Sequence, residues 1–241
     1  MKSVRMIRRF LILFAFLAAI VIFFNRRQPS QAAAAIDDSK INIFAVLSSE
    51  IEEAAKSCSE SLLVQEKLKT FPQQGYQIHC TLYMANYSPE RVNSLKELVA
   101  SFALTVRPFD ATSSGMFVTK EHWLFLNIVK DRNLQTLSDT IVTLTAPLRS
   151  PNQFIPEWAK SSPEKLECIK KYGSPNVFVQ FGPHLTLLAN ADGAALARFL
   201  QKNSANPAFG LPVKGRIIGI GLGIADEKGQ VQKPIAINFF P

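Results

Sequence analysis

"IHCTLYM", from Ile78 to Met84, and "PHLTLLA", from Pro183 to Ala189, set the same frame twice in one chain: His-x-Thr-Leu. The sequence holds three histidines, and two of them, His79 and His184, stand in this frame about a hundred residues apart. Threonine supplies 10 of 241 residues, so the odds that two of three histidines carry Thr at the second following position are roughly half a per cent. The third, His122 in "KEHWLFLNIV", carries Leu at that position and serves as an internal control. Alternation along a strand places His79, Thr81 and Tyr83 on one face and Ile78, Cys80 and Leu82 on the other. The same rule pairs His184 with Thr186.

The segments downstream of the two motifs repeat as well. After the first come Val92, Leu95, Leu98, Val99 and Phe102 at helical spacing, then "FALTVR" (Phe102 to Arg107) and "WLFLNIV" (Trp123 to Val129). After the second come "DGAALARFLQKN", "FGLPVK" (Phe209 to Lys214) and "PIAINFF". Asn127 and Asn238 fall in the late strands of their halves. The pattern is a duplicated strand, helix, strand, strand unit, which predicts an α/β (α+β) body of two pseudo-symmetric lobes around a central cleft. Upstream, "INIFAVLS" (Ile41 to Ser48) reads as a strand, and Ile51, Ala54, Ala55, Cys58, Leu62 and Leu63 form a helical stripe. Lobe one covers about residues 41–146 and lobe two about 176–241. Between them, a Pro-rich connector over 147–175 contains a short helix at Lys165 to Tyr172. Arg107 and Lys214 stand opposite in parity to the apolar residues of their segments, which is the pattern of a solvated face.

Charge belongs mostly to the N-terminus. The chain carries 27 basic and 19 acidic residues, a formal +8, but Lys2, Arg5, Arg8, Arg9, Arg26 and Arg27 account for six of that excess with no acid among them. The remainder is near neutral, so the high net charge is no argument for a polymeric nucleic-acid partner. Phe10 to Phe24 is an uninterrupted apolar run behind that basic flank, predicting an N-terminal hydrophobic helix. About 22 Å of helix suits a signal peptide as well as a membrane anchor. Residues 1–27 are therefore a signal-anchor or a signal peptide, 28–40 a linker, and 41–241 the body. More positive charge precedes the run than follows it, which puts the body on the non-cytoplasmic side, tethered to the membrane or secreted after cleavage. Cys58, Cys80 and Cys168 form no CxxC, and are compatible with one disulfide and a free thiol or with three buried thiols.

A lone His on a strand is ordinarily structural; two in register with two threonines are a chemical set. Facing imidazoles supply a general acid and a general base near neutral pH, and the hydroxyls beside them hydrogen-bond the non-bridging oxygens of a phosphate. A phosphodiester uses all four groups. Two histidines without a third ligand do not make a zinc site, and no cofactor is called for. Tyr83, on the face of His79, is placed to stack on a base or cap the cleft.

These motifs, "QIHCTLYM" and "FGPHLTLL", resemble those of the 2H phosphoesterase superfamily, which includes bacterial 2′-5′ RNA ligase-like proteins and cyclic phosphodiesterases. The resemblance covers about residues 41–240. It implies a bilobal fold with metal-free hydrolysis, or reversible ligation, of 2′,3′-cyclic or 2′-5′ phosphodiesters of nucleotides or RNA fragments. It carries catalytic roles onto His79, Thr81, His184 and Thr186 only. The hydrophobic N-terminus departs from a mostly soluble, intracellular family. A second class of function is a membrane-anchored module that binds a nucleotide or phosphorylated ligand without turnover; a third is a structural envelope protein on the same scaffold.

Overall fold

Strand β1 (Ser39–Leu47) is buried without a break from Ile41 to Leu47; it is paired on both edges, by β2 (Cys80–Tyr87) and by β6 (Val213–Ala225), and covered on both faces. The structure is a computed structural model that describes residues 38–203 and 212–241. The apolar run Phe10 to Phe24, most of the linker and Phe209 to Leu211 lie outside the described residues. No helix among the described residues is long and apolar enough to cross a membrane.

The duplicated order of elements is present. β2, α2 (Pro89–Ala103), β3 (Phe109–Val118) and β4 (Leu124–Ile128) form the first strand, helix, strand, strand run. β5 (His184–Leu188), α5 (Gly193–Asn203), β6 and β7 (Val231–Phe239) form the second. α1 (Ser49–Glu66) buries Ile51, Ala55, Cys58 and Leu62 at helical spacing, and α3 (Arg132–Thr145) and α4 (Pro163–Tyr172) lie between the two runs. "FALTVR" is not a strand. Leu95, Val99 and Ala103 continue one buried helical stripe through Phe102, Leu104 is exposed, and the strand begins only after Pro108.

The two copies do not form consecutive lobes, since their strands interleave in one antiparallel sheet of order β1-β2-β5-β4-β3-β6-β7, closed by a further pairing of β1 with β6. β6 makes this possible by its length. Its first part, Val213 to Ile217, pairs β3, while Ile217 to Ile224 pairs β1. Two arms result, β2-β1-β6-β7 and β5-β4-β3. Between β2 and β5 they meet through a single rung, Cys80 opposite Leu185.

One face of the sheet carries the main core. Ile41, Ile43, Ala45 and Leu47 pack there against Ile51, Leu62, Leu95, Val99 and Ile141 of the helices. All three cysteines are free thiols, Cys58 and Cys80 buried among this core and Cys168 half-buried; burial pushes the Cys58 and Cys80 thiols up to about 12. On the other face Phe44, Val46 and Val231 form a small separate cluster. Phe44 stands across from Gly221 in the register, and a Cβ on that glycine would lie 2.3 Å from the Phe44 ring. Gly221→Ala is therefore expected to cost about 1–3 kcal/mol in urea unfolding. Adding Phe44→Leu should recover part of the loss; strictly additive penalties would refute the clash.

Candidate functional site

The single rung decides where the motif residues point. On either side of Cys80–Leu185, alternation sets His79 against Thr186 and Thr81 against His184, all on the face away from the main core. Strands lie about 4.8 Å apart and same-face residues about 6.6 Å apart along a strand, so the quartet spans a patch the size of a phosphate group. Thr81, His184 and Thr186 are half-exposed, and His79 is buried, 5% exposed.

Each motif ends in a bulge at the same place. Thr81 pairs Phe44 but Tyr83 pairs Ile43, leaving Leu82 as an extra residue. Thr186 pairs Phe125 but Leu188 pairs Leu124, leaving Leu187 extra. A bulge breaks the two-residue alternation, so residues beyond it change face: Leu82 and Tyr83 are both buried, and Met84 returns to the Thr81 side. Tyr83 thus leaves the cleft, against the expectation from parity. Its ring is 1% exposed, its hydroxyl donates to the Tyr172 carbonyl, and it has no surface to offer a base.

Both imidazoles are oriented by the same device. His79 Nδ1–H donates to the Gln77 carbonyl at 2.8 Å and His184 Nδ1–H to the Gly182 carbonyl at 2.7 Å, in each case two residues back along the chain. A carbonyl only accepts, so Nδ1 carries the proton and Nε2 of each neutral ring holds the lone pair. His184 stacks on Phe125 with centroids 4.0 Å apart; His79 tilts against Phe44 at 5.2 Å. The pKa of His79 is lowered to about 4, mainly by burial with a smaller push from the neighbouring His184, against the pull of the Gln77 carbonyl and Asp226. Burial also lowers His184, opposed by the Gly182 carbonyl.

One residue that the motifs do not point to completes the arrangement. Asn42, fully buried on β1, places its Nδ2 3.1 Å from His79 Nε2, 2.9 Å from Thr81 Oγ1 and 3.0 Å from the Gly229 carbonyl. The carbonyl fixes the amide orientation, and because an amide nitrogen has two protons, His79 and Thr81 share the second. Asn42 Oδ1 is left buried without a partner. The β6–β7 turn is held over His79 by this bond, and also by Lys40 Nζ, which donates to the Asp226 carbonyl at 2.9 Å. A lone polar residue inside "INIFAVL" is the sequence signal for Asn42. His122 stands apart in the β3–β4 connection, exposed, with its carbonyl bonded to Ala191 N. Among the described residues no three His, Cys, Asp or Glu side chains gather into a group that could hold a metal.

A family model described as "Protein of unknown function (DUF1045)" matches residues 84–231, a span that takes in His184 and Thr186 and starts just after Thr81. No curated protein matches the chain. Similar solved structures include apo LigT of E. coli, 15% identical at TM-score 0.46, covering 85% of this chain and 98% of that one. TT0787 of Thermus thermophilus is 17% identical at TM-score 0.49, covering 83% and 97%. Usb1 of Kluyveromyces marxianus is 8% identical at TM-score 0.46, covering 86% and 99%.

The Asn42 amide proton bonds only to the unprotonated Nε2 of His79, so it opposes protonation. In Asn42→Ala the His79 pKa should rise toward the ordinary imidazole value when followed by NMR, with a loss of about 1–3 kcal/mol in stability from the unpaired Gly229 carbonyl. An unchanged His79 titration would remove Asn42 from the site.

Proposed function

The chain belongs to the DUF1045 family of proteins of unknown function, and we propose that it is a 2H-type phosphodiesterase, acting without a metal on 2′,3′-cyclic or 2′-5′ phosphodiesters of nucleotides or RNA fragments. The observation that carries this reading is the duplicated geometry. Two rings, each with Nδ1–H tied to a carbonyl two residues back, stand on strands whose register and alternation put them on one face with two threonines. A site that only bound phosphate would want permanent positive charge; two imidazoles held below their ordinary pKa suit proton transfer instead.

In this mechanism one neutral His takes a proton at Nε2 from the attacking water as its oxygen bonds to phosphorus. The other, protonated at Nε2, gives that proton to the 2′ or 3′ oxygen as the P–O bond breaks. Thr81 and Thr186 donate to the non-bridging oxygens, where charge redistributes in the transition state. After one turnover the two rings have exchanged protonation states, and the reverse direction exchanges their roles. The tethered, non-cytoplasmic placement expected from the N-terminus belongs to the same proposal and favours small nucleotides over polymeric RNA as substrates.

The decisive assay is hydrolysis of the four nucleoside 2′,3′-cyclic monophosphates in EDTA by the full chain, with His79→Ala and His184→Ala alongside. Turnover that survives the chelator and falls by about 10²–10⁴-fold or more in each variant is expected; equal turnover in the variants overturns the reading, and ligand binding without turnover leaves the binding module.

The pH profile derives from the same geometry. kcat/KM needs one ring protonated and one not, so it is bell-shaped between the two pKa values of the free pair, whichever ring plays which part. His79 lies near 4 and His184 is lowered from 6.5. The profile should therefore peak on the acid side of 6.5 and decline as pH rises through neutrality, because the acid is then lost. A maximum at or above pH 7 would contradict this.

A further inference from the structure

The loss of Tyr83 to the core leaves the cleft without the aromatic surface expected beside His79, but the opposite arm has one. Phe125 faces Thr186 directly in the register and lies flat against His184, with an interplanar angle of 24°. Phe117 pairs Phe125 on the next strand and so shares its face, with 51% of its surface exposed. Trp123 meets Phe125 edge-on at 6.1 Å, its Nε1 anchored to Asn190 Oδ1 at 3.0 Å. The partner of these residues on the His79 arm is different in kind: Phe44 is fully buried. The quartet is nearly symmetric, whereas its aromatic surroundings are not.

Two further features lie on the same patch. Asn127 stands across from His184, half-exposed, with a side-chain amide that makes no hydrogen bond to the described residues. Gly115 pairs Asn127, and a Cβ placed on it would meet nothing within 4 Å. An apolar, half-open ring surface, a free amide and empty space beside it thus continue directly from a phosphate-sized polar patch. Flat π-systems stack on such rings with little regard to identity, while an amide reads donor and acceptor positions on an edge.

We infer that β3 and β4 form a nucleobase-binding subsite, in which a base attached to the phosphate at the His/Thr quartet stacks on Phe117 and Phe125 and presents its edge to Asn127. This inference rests on the reading that the cleft takes nucleotides, and it makes the His184 arm the nucleoside side of the site. A base-bearing phosphate then binds more tightly than phosphate alone, and the surplus depends on the exposed ring.

The test is calorimetric titration of the full chain and of Phe117→Ala with 3′-AMP and with inorganic phosphate. Phe117 is half-exposed and outside the quartet, so the variant keeps the fold and the phosphate contacts. The wild-type chain should bind 3′-AMP at least about tenfold more tightly than phosphate, and Phe117→Ala should lose about tenfold for 3′-AMP with phosphate unchanged. Equal 3′-AMP affinity in the two proteins, a parallel loss for phosphate, or a wild-type chain that does not prefer 3′-AMP would each overturn the subsite. Turnover decides the parent reading separately. If cyclic nucleotides are hydrolysed with the same KM by wild type and Phe117→Ala, the subsite fails while the phosphodiesterase stands. If 3′-AMP shows the predicted losses but nothing is hydrolysed, the catalytic reading fails and the subsite stands.

Discussion

The rung between Cys80 and Leu185 is the contact on which the site depends. Two arms of the sheet touch there through one residue pair, and the two-residue alternation of the backbone does the rest, sending one His and one Thr from each strand to the same face. The ring of pairings that closes through β1 and β6 fixes the arms at their other side, and Cys80, Leu82, Leu185 and Leu187 of the motif strands pack into the main core beneath them. Within this frame the bulges after Thr81 and Thr186 turn the following apolar residues into the core. Each motif is thereby limited to two side chains facing the cleft.

Orientation of the imidazoles costs little, because each uses a carbonyl of its own chain two residues back. Burial weighs more. Desolvation disfavours the charged ring, and the result is a pair poised neutral, able to take a proton when a phosphate anion arrives and favours imidazolium. Asn42 sets a difference between the two. It occupies Nε2 of His79 and shares its proton with Thr81, while His184 is held by Phe125 instead. Asn42 also leaves an unpaired buried oxygen, a penalty that a core residue chosen for stability alone would avoid.

Much of this is legible in the sequence, and the rest is not for identifiable reasons. His79, Thr81, His184 and Thr186 stand out through composition alone, and the strand, helix, strand, strand order of both copies can be read from apolar spacing. Bulges carry no composition signal in "CTLYM" or "LTLLA", so parity points Tyr83 into the cleft where the backbone turns it into the core. "FALTVR" has the look of a strand because Phe, Leu and Val alternate there, whereas the helical stripe ending at Ala103 has the stronger claim. Strand interleaving depends on which edges are free, a property of the whole sheet that no local window holds. Asn42 is visible as a polar residue in an apolar strand, but its partners come from β2 and from the β6–β7 turn, far away in the chain.

Both histidines face one anion with Nδ1 protonated and Nε2 unprotonated, the His79 Nε2 exchanging the Asn42 amide proton for the one it takes up. Long-range ¹H–¹⁵N NMR of the two imidazoles, recorded near pH 7 with and without inorganic phosphate, tests it most directly. Both rings should show the Nδ1–H tautomer, and both Nε2 resonances should shift at a common phosphate concentration. An Nε2–H tautomer in either ring, or a response from only one of them, would contradict it.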